Sequence, residues 1–277
     1  MTVSAAPVER PALRLTTQTV SMFGLAALAW AGVIAYARHM GNGIGTMGMS
    51  LVEFLPMWAL MMTAMMLPAV APVASLVLRT IGSDRPHRVS LFVGGYLVVW
   101  AAAGIPAYFA LRIVDDQVAE STTAMRTVAV VVLAAAGIYQ LTPLKAVCLR
   151  HCRSPLGQLL HYGNIKGRAR ELKIALHHAG FCLGCCWALM ALFVAFGIMN
   201  VWAMLGLAMV VVSEKLLRNG QMIGRLAGAV FVVLALLVAA SPRVAEAIVP
   251  SMPSMPSDPA PMTNMCEPAR LAAIRSC

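Results

Sequence analysis

Seven stretches of this sequence are apolar over about the 20 residues that a helix needs to cross a bilayer. They cover residues 18–37, 53–78, 90–111, 127–144, 174–198, 201–217 and 226–248. Such runs constrain the fold more than any other feature, because a chain in lipid must satisfy its backbone polar groups internally. The sequence therefore predicts an all-α fold, a polytopic transmembrane bundle of about seven helices.

Composition and charge agree with a membrane protein. Hydrophobic residues make up 60% of the chain and charged residues only 12%, whereas a soluble domain carries roughly 25% charged residues. With the N-terminus inside, 15 of the 21 Lys and Arg residues fall on the inner side. The positive-inside rule thus predicts a cytoplasmic N-terminus and an outer C-terminus. We assign the net charge of +10 to topology and to contact with the lipid bilayer, and not to nucleic acid.

Three regions follow from this pattern. Residues 1–17 form a cytoplasmic segment, residues 18–248 the seven-helix domain, and residues 249–277 a tail rich in Pro, Ser and Met. The composition of the tail predicts disorder on the outer side of the membrane. We expect the protein to lie in a bacterial inner (plasma) membrane as a multi-pass protein.

The fifth apolar segment contains "CLGCCW" at residues 182–187. On a helix, Cys182, Cys185 and Cys186 fall within an arc of about 100°, which His178 and Met190 extend to about 140°. Thiolate, thioether and imidazole are ligands for copper(I) or zinc. The alternative is that these cysteines pack as small hydrophobic residues.

The second apolar segment contains "MWALMMTAMMLP". Its Met61, Met62, Met65 and Met66 cover an arc of about 140°. Neutral thioethers select copper(I) and avoid burying an ionised ligand in lipid. A stripe of methionines can also serve core packing alone.

Two further groups could bind metal. Cys148 and Cys152 lie one helical turn apart at the predicted inner end of the fourth helix, where Lys145, Arg150 and Arg153 should favour thiolates. The tail carries soft ligands outside, namely Met252, Met255, Met262, Met265 and Cys266. We interpret the tail as a loose collector of copper or, alternatively, as a low-complexity extension.

Three polar positions remain. Glu214 and Lys215 lie near the inner end of the sixth helix, where burying an ionisable side chain is costly. They are therefore expected either to have a function or to extend their charged groups to the membrane interface. Asn200, in the turn between helices five and six, is expected to serve as a turn or helix cap.

Five short motifs occur in one order along residues 50 to 220. They are W-x2-M-x2-AMM-x-P from Trp58 to Pro68, K-x2-C-x3-CR-x-P from Lys145 to Pro155, C-x-GCCW-x-LM from Cys182 to Met190, G-x-MN from Gly197 to Asn200, and Glu214–Lys215. This set resembles the bacterial family of predicted metal-binding integral membrane proteins. Some members of that family resemble membrane copper chaperones that are encoded beside tyrosinase-like oxidases.

Residues and resemblance together predict a membrane protein that binds soft metal and is not an enzyme. Copper(I) is the first candidate and zinc the second, with a copper-dependent oxidase or a copper carrier protein as partner. The function would be copper delivery to a cuproenzyme or copper transport. One alternative is a membrane thiol-disulfide redox protein that uses Cys182 and Cys185. Another is a structural or assembly protein without metal.

Overall fold

The computed structural model describes residues 17–40, 46, 48–80, 86–118, 122–153, 169–241 and 243–245. No residue in these ranges is in a strand, and the predicted all-α class is confirmed. The helices are α1 (Thr17–Met40), α2 (Leu51–Thr80), α3 (Pro86–Val118), α4 (Thr122–Leu141), α5 (Pro143–Arg153), α6 (Arg170–Ala191), α7 (Phe193–Phe196), α8 (Val201–Leu216) and α9 (Gly220–Ala240).

Six regions of the described chain are long and apolar enough to cross a membrane. They are Thr19–His39, Leu51–Ala71, His87–Asp116, Thr123–Leu141, Arg170–Phe196 and Gly220–Ala240. The predicted span at 201–217 corresponds to α8, which has only 16 residues. At 1.5 Å per residue α8 extends about 24 Å, less than the ~30 Å hydrocarbon core. The structure therefore gives six full-length candidate spans and one shorter apolar helix.

The predicted fourth helix is divided in two. It ends at Leu141, and the segment with Lys145, Cys148 and Cys152 forms the separate helix α5. Thr142 interrupts the helix, and its hydroxyl accepts a hydrogen bond from the backbone N–H of Lys145 at 3.3 Å. Pro143 follows at the first helical position, where its missing N–H costs nothing. The expectation that these cysteines lie on the end of the fourth helix was wrong for this reason.

Helices α2 and α6 form the centre of the bundle. In the candidate spans of α2 and α6, 67% and 56% of the residues in the 18-residue apolar stretch are buried, against 17–28% in the other four candidate spans. The other four expose large apolar side chains, such as Leu28, Ile113, Val131 and Leu236. Apolar surface of this extent needs a covering, and lipid acyl chains would supply it.

Buried glycines on α9 allow close approach of other helices, and Gly228 faces α4. Gly220, Gly224 and Gly228 are all buried on α9. A Cβ atom at Gly228 would lie 2.6 Å from Cβ of Gln140 and 2.9 Å from the carbonyl oxygen of Gly137. The missing side chain thus lets the two backbones approach, as expected for a small-residue ridge between membrane helices.

Gly228→Ala should weaken this contact. The new methyl group meets backbone that cannot rotate away, and overpacking of this kind costs about 1–3 kcal/mol. Gly206→Ala on α8 is the matched control, because nothing lies within 4 Å of a Cβ there. We expect the unfolding temperature of the detergent-purified protein to fall for Gly228→Ala and to stay level or rise for Gly206→Ala. Equal unfolding temperatures would show that α9 does not depend on close approach to α4.

Candidate metal centre

Four buried thiols from two helices lie next to one another, and we name them the thiol cluster. It comprises Cys152 of α5 and Cys182, Cys185 and Cys186 of α6, each at most 4% exposed. Sγ of Cys185 lies 3.3 Å from Sγ of Cys186 and 4.0 Å from Sγ of Cys152. Cys182 is near enough to interact with the thiols of both Cys185 and Cys186. The structure thus brings the three predicted α6 cysteines together and adds a fourth.

The positions of these thiols follow from α6. Residues 182, 185 and 186 share its buried face, together with His178 and Ala179. Cys148 is only half-buried and packs beside Gly184, where a Cβ atom would lie 3.2 Å from Sγ of Cys148. Of the two α5 cysteines, therefore, it is Cys152 that has a measured contact with an α6 thiol.

Two polar groups from other helices contact Cys182. The Lys215 ammonium of α8 donates a hydrogen bond to Sγ of Cys182 at 2.8 Å. The Tyr96 hydroxyl of α3 lies 3.0 Å from the same sulfur. A cation at this distance would balance part of the negative charge of a thiolate. Lys215 therefore contributes to the site and does not extend to the interface.

His178 adds an imidazole to the buried region. It is 2% exposed, and its ring stacks at an angle on Tyr96 with 6.2 Å between ring centroids. Its Nδ1 atom is buried without a hydrogen-bond partner in the described part of the chain. A buried nitrogen of this kind is unfavourable unless something binds it. His177 instead packs against His151 and Phe181 on another face of α6.

A buried ion pair lies near the thiol cluster. Lys145 Nζ lies 2.7 and 2.8 Å from the two carboxylate oxygens of Glu214, and both side chains are at most 2% exposed. The Gln140 amide also donates to this carboxylate at 3.0 Å. Gly224 leaves room for it, because a Cβ atom there would lie 3.0 Å from Oε1 of Glu214. The expectation that Lys145 serves the nearby cysteines was wrong, since its charge is committed to Glu214.

The end of α8 is also held by α5. The Arg153 guanidinium donates to the carbonyl oxygens of Leu217 and Arg218, the latter at 2.9 Å. At the other end of α8, the Asn200 side chain accepts from the backbone N–H of Ala203 at 3.1 Å, which confirms its predicted capping role. Both ends of α8 are therefore fixed by side-chain hydrogen bonds.

Among the predicted methionine ligands, Met61 and Met190 line cavities to which no cysteine of the thiol cluster contributes. Four methionines of α2 are each at most 1% exposed, namely Met61, Met62, Met65 and Met66. Met61 lines a cavity of about 230 Å³ that also includes Met57 and Met199. Met190 lies near the far end of α6 and lines an apolar cavity of about 650 Å³ together with Trp58 and Trp187. The tail residues Met252, Met255, Met262, Met265 and Cys266 fall outside the described residues.

The sulfur spacing of the thiol cluster is close to that around a bound metal. Thiolates that hold a tetrahedral ion at about 2.3 Å lie roughly 3.8 Å from one another. The measured contacts of 3.3 and 4.0 Å lie on either side of this value. As they stand, no three His, Cys, Asp or Glu side chains between residues 17 and 245 that the structure describes surround a common point closely enough to hold an ion. Small side-chain rotations would be needed on binding.

The sequence alone did not indicate two members of this site. Tyr96 belongs to no motif, and only the packing of α3 on α6 brings it to Cys182. The sequence also did not indicate the partners of Glu214 and Lys215. Glu214 contacts Lys145, whereas its neighbour Lys215 contacts Cys182. The sequence feature that could have pointed to this role is the motif itself, in which two ionisable residues lie side by side in an apolar segment.

Comparison with known proteins gives one family. A family model with the description "PpoB2: Copper chaperone" matches residues 55–238 and so covers α8, most of α9 and the whole site. No curated protein and no solved structure matches the chain. The family match confirms the resemblance that the five motifs indicated.

The Lys145–Glu214 ion pair gives a test of the site's framework. Lys145→Met leaves the Glu214 carboxylate buried without its counter-ion, which costs about 3–5 kcal/mol. The double variant Lys145→Met/Glu214→Met removes both charges and should recover much of that loss. Unfolding in a titration with dodecyl sulfate, followed by circular dichroism, measures both. If the double variant is as unstable as the single one, the unpaired Glu214 charge is not the cause of the lost stability.

Proposed function

The chain belongs to the PpoB2 copper chaperone family, and on this premise we propose that it is a multi-pass membrane protein that carries copper(I) on the thiol cluster. We infer that it delivers the ion to a copper-dependent oxidase or to a copper carrier protein. Copper is the cargo in this proposal, and the protein itself catalyses no reaction. The cell location that we propose is the bacterial inner membrane, with the N-terminus inside and the C-terminus outside.

The observation that supports this proposal best is the meeting of four thiols in a buried interior. Sulfur ligands favour copper(I) over the harder ions that oxygen ligands bind. Thiolates around a monovalent ion carry a net negative charge, and the Lys215 ammonium at 2.8 Å from Cys182 would offset part of it. A site for simple packing would not need a cation against a sulfur.

His178 is the proposed additional ligand. Its Nδ1 atom lacks a partner in the described chain and lies on the same helix face as the α6 thiols. A set of three Cys and one His also suits zinc, which remains the second candidate metal. Copper is preferred here because the chain is a member of a copper chaperone family.

The other sulfur ligands are proposed as exchange positions. Cys148 lies on α5 beside the thiol cluster, and the α2 methionines lie in the core of the bundle. Met190 follows on α6, and the tail sulfurs would collect or release copper outside. Neutral thioethers can take up copper(I) without losing a proton, whereas thiols must be deprotonated.

One alternative function has a specific observation in its favour. Sγ of Cys185 lies 4.0 Å from Sγ of Cys152 on the neighbouring helix, so an external two-electron oxidant could join these two thiols as a disulfide, with the loss of two protons. The cysteines of the described helices are all free thiols. A thiol-disulfide protein would keep its activity without metal and lose it when the thiols are alkylated.

Replacing Cys182, Cys185 or Cys186 singly by Ser should remove most of the bound copper from the purified full-length protein. Serine is nearly the same size, so the protein should still insert and fold. Cys277→Ser is the matched control, because it removes a thiol to which we assign no role. Copper per chain, measured by elemental analysis beside the circular dichroism spectrum, gives the result. Undiminished copper in the triple Ser variant would contradict the proposal.

Met61→Leu/Met65→Leu should lower copper retention and change the silver tolerance of cells that produce the protein. Leucine keeps the volume and apolarity, so stability should change by less than about 1.5 kcal/mol. Met22→Leu is the control, because Met22 is also buried, on α1. If both variants retain the same copper, the α2 methionines serve only packing.

A further inference from the structure

A second group of sulfur-containing side chains lines a cavity to which no cysteine of the thiol cluster contributes. It has a volume of about 230 Å³ and is lined by Met57 and Met61 of α2 and by Met199 of the turn before α8, with Tyr36 and Glu53. We propose that this cavity is a separate thioether site for a monovalent soft cation, and that it is where copper(I) enters or leaves the protein. This role rests on the copper handling proposed above, whereas the site itself does not depend on the thiol cluster.

The three methionines of the cavity come from two segments of the chain, α2 and the turn before α8. Met57 and Met61 are one helical turn apart on α2, so both face the same direction. Met199 is fixed by a turn in which Gly197 has φ of 85° and the Asn200 side chain donates to the carbonyl oxygen of Phe196 at 3.2 Å. All three methionines are at most 7% exposed. The cavity is thus lined by three buried methionine side chains, whose backbone positions are set by α2 and by the turn before α8.

Glu53 supplies the charge that the thioethers lack. It is exposed and is the only carboxylate among the described residues that line the cavity. Its carboxylate accepts hydrogen bonds from the backbone N–H of Ser50 at 2.9 Å and from the Ser50 hydroxyl at 2.8 Å. This capping box at the start of α2 holds the carboxylate in place. A cation that approaches the cavity is therefore attracted electrostatically and then bound by soft ligands.

The cavity and the thiol cluster lie beside different parts of α8. Met199 lies just before the helix begins, and Lys215, which contacts Cys182, lies one residue before it ends. None of the described residues that line the cavity belongs to the thiol cluster, so the cavity would be a separate binding position. Met65 follows Met61 on the same face of α2 and continues the row of thioethers away from the cavity.

Silver(I) binding to the full-length protein in detergent tests the proposal. The parent is the Cys182→Ser/Cys185→Ser/Cys186→Ser variant, which lacks the α6 thiols. Adding Met57→Leu/Met199→Leu to this parent should lower the silver stoichiometry by about one ion per chain. Adding Met204→Leu is the control, because Met204 is a buried methionine of α8 that does not line the cavity. All other sulfur ligands are the same in the three proteins, so the difference reports the cavity alone.

The outcomes separate the two proposals. A loss of one ion with Met57→Leu/Met199→Leu and none with Met204→Leu supports the thioether site, even if the cysteine variants show that the thiols bind no copper. Equal stoichiometry in the two variants overturns the thioether site and leaves the copper role of the thiols untouched.

Glu53→Gln provides a second measurement that does not alter the packing. Glutamine can still accept the hydrogen bond from Ser50, so the cap is kept. Loss of the charge should weaken silver binding to the cavity about two- to fivefold at low salt, as for other exposed charge interactions. The difference should shrink at high ionic strength. Unchanged affinity at low salt would contradict the electrostatic part of the proposal.

Discussion

The buried ion pair between Lys145 and Glu214 is the interaction on which the site depends. It joins α5 to α8, and both helices then contribute to the environment of the α6 thiols. Cys152 is on α5 and Lys215 is on α8, so the pair joins the two helices that bring these groups to α6. A buried pair resists separation, because removal of either partner leaves an uncompensated charge in a region of low dielectric constant.

Small residues make this arrangement sterically feasible. Gly224 leaves space for the Glu214 carboxylate, and Gly184 leaves space for the Cys148 thiol. Gly228 lets α9 approach α4, whose Gln140 donates to the same carboxylate. Polar groups are thus kept in the interior of an apolar bundle by close approach of helices on several sides. This arrangement keeps Glu214, Lys145 and the Gln140 amide nitrogen within hydrogen-bond distance of a partner, which offsets the cost of burying them.

Helix α8 connects the two chemically distinct ends of the bundle. Its first end lies beside the methionine-lined cavity, and its last turn carries Glu214 and Lys215 to the thiol cluster. Neutral thioethers occupy the first position and thiols with a compensating cation occupy the second. In the function that we propose, copper(I) would exchange between these two types of ligand, since it can bind to both.

The sequence by itself determined the all-α class, the positions of the apolar helices, the shared face of Cys182, Cys185 and Cys186, the cap at Asn200 and the family. These features depend on hydrophobic length, helical periodicity and local hydrogen bonding, which short stretches of sequence contain. Only the tertiary structure decided that Lys145 pairs with Glu214, that Lys215 and Tyr96 contact Cys182, and that Cys152 joins the α6 thiols. It also decided that the fourth apolar segment breaks at Thr142 and that Met199 meets Met57 and Met61. Contacts between helices depend on which faces pack together, and helical periodicity fixes the face of each helix but not its neighbour.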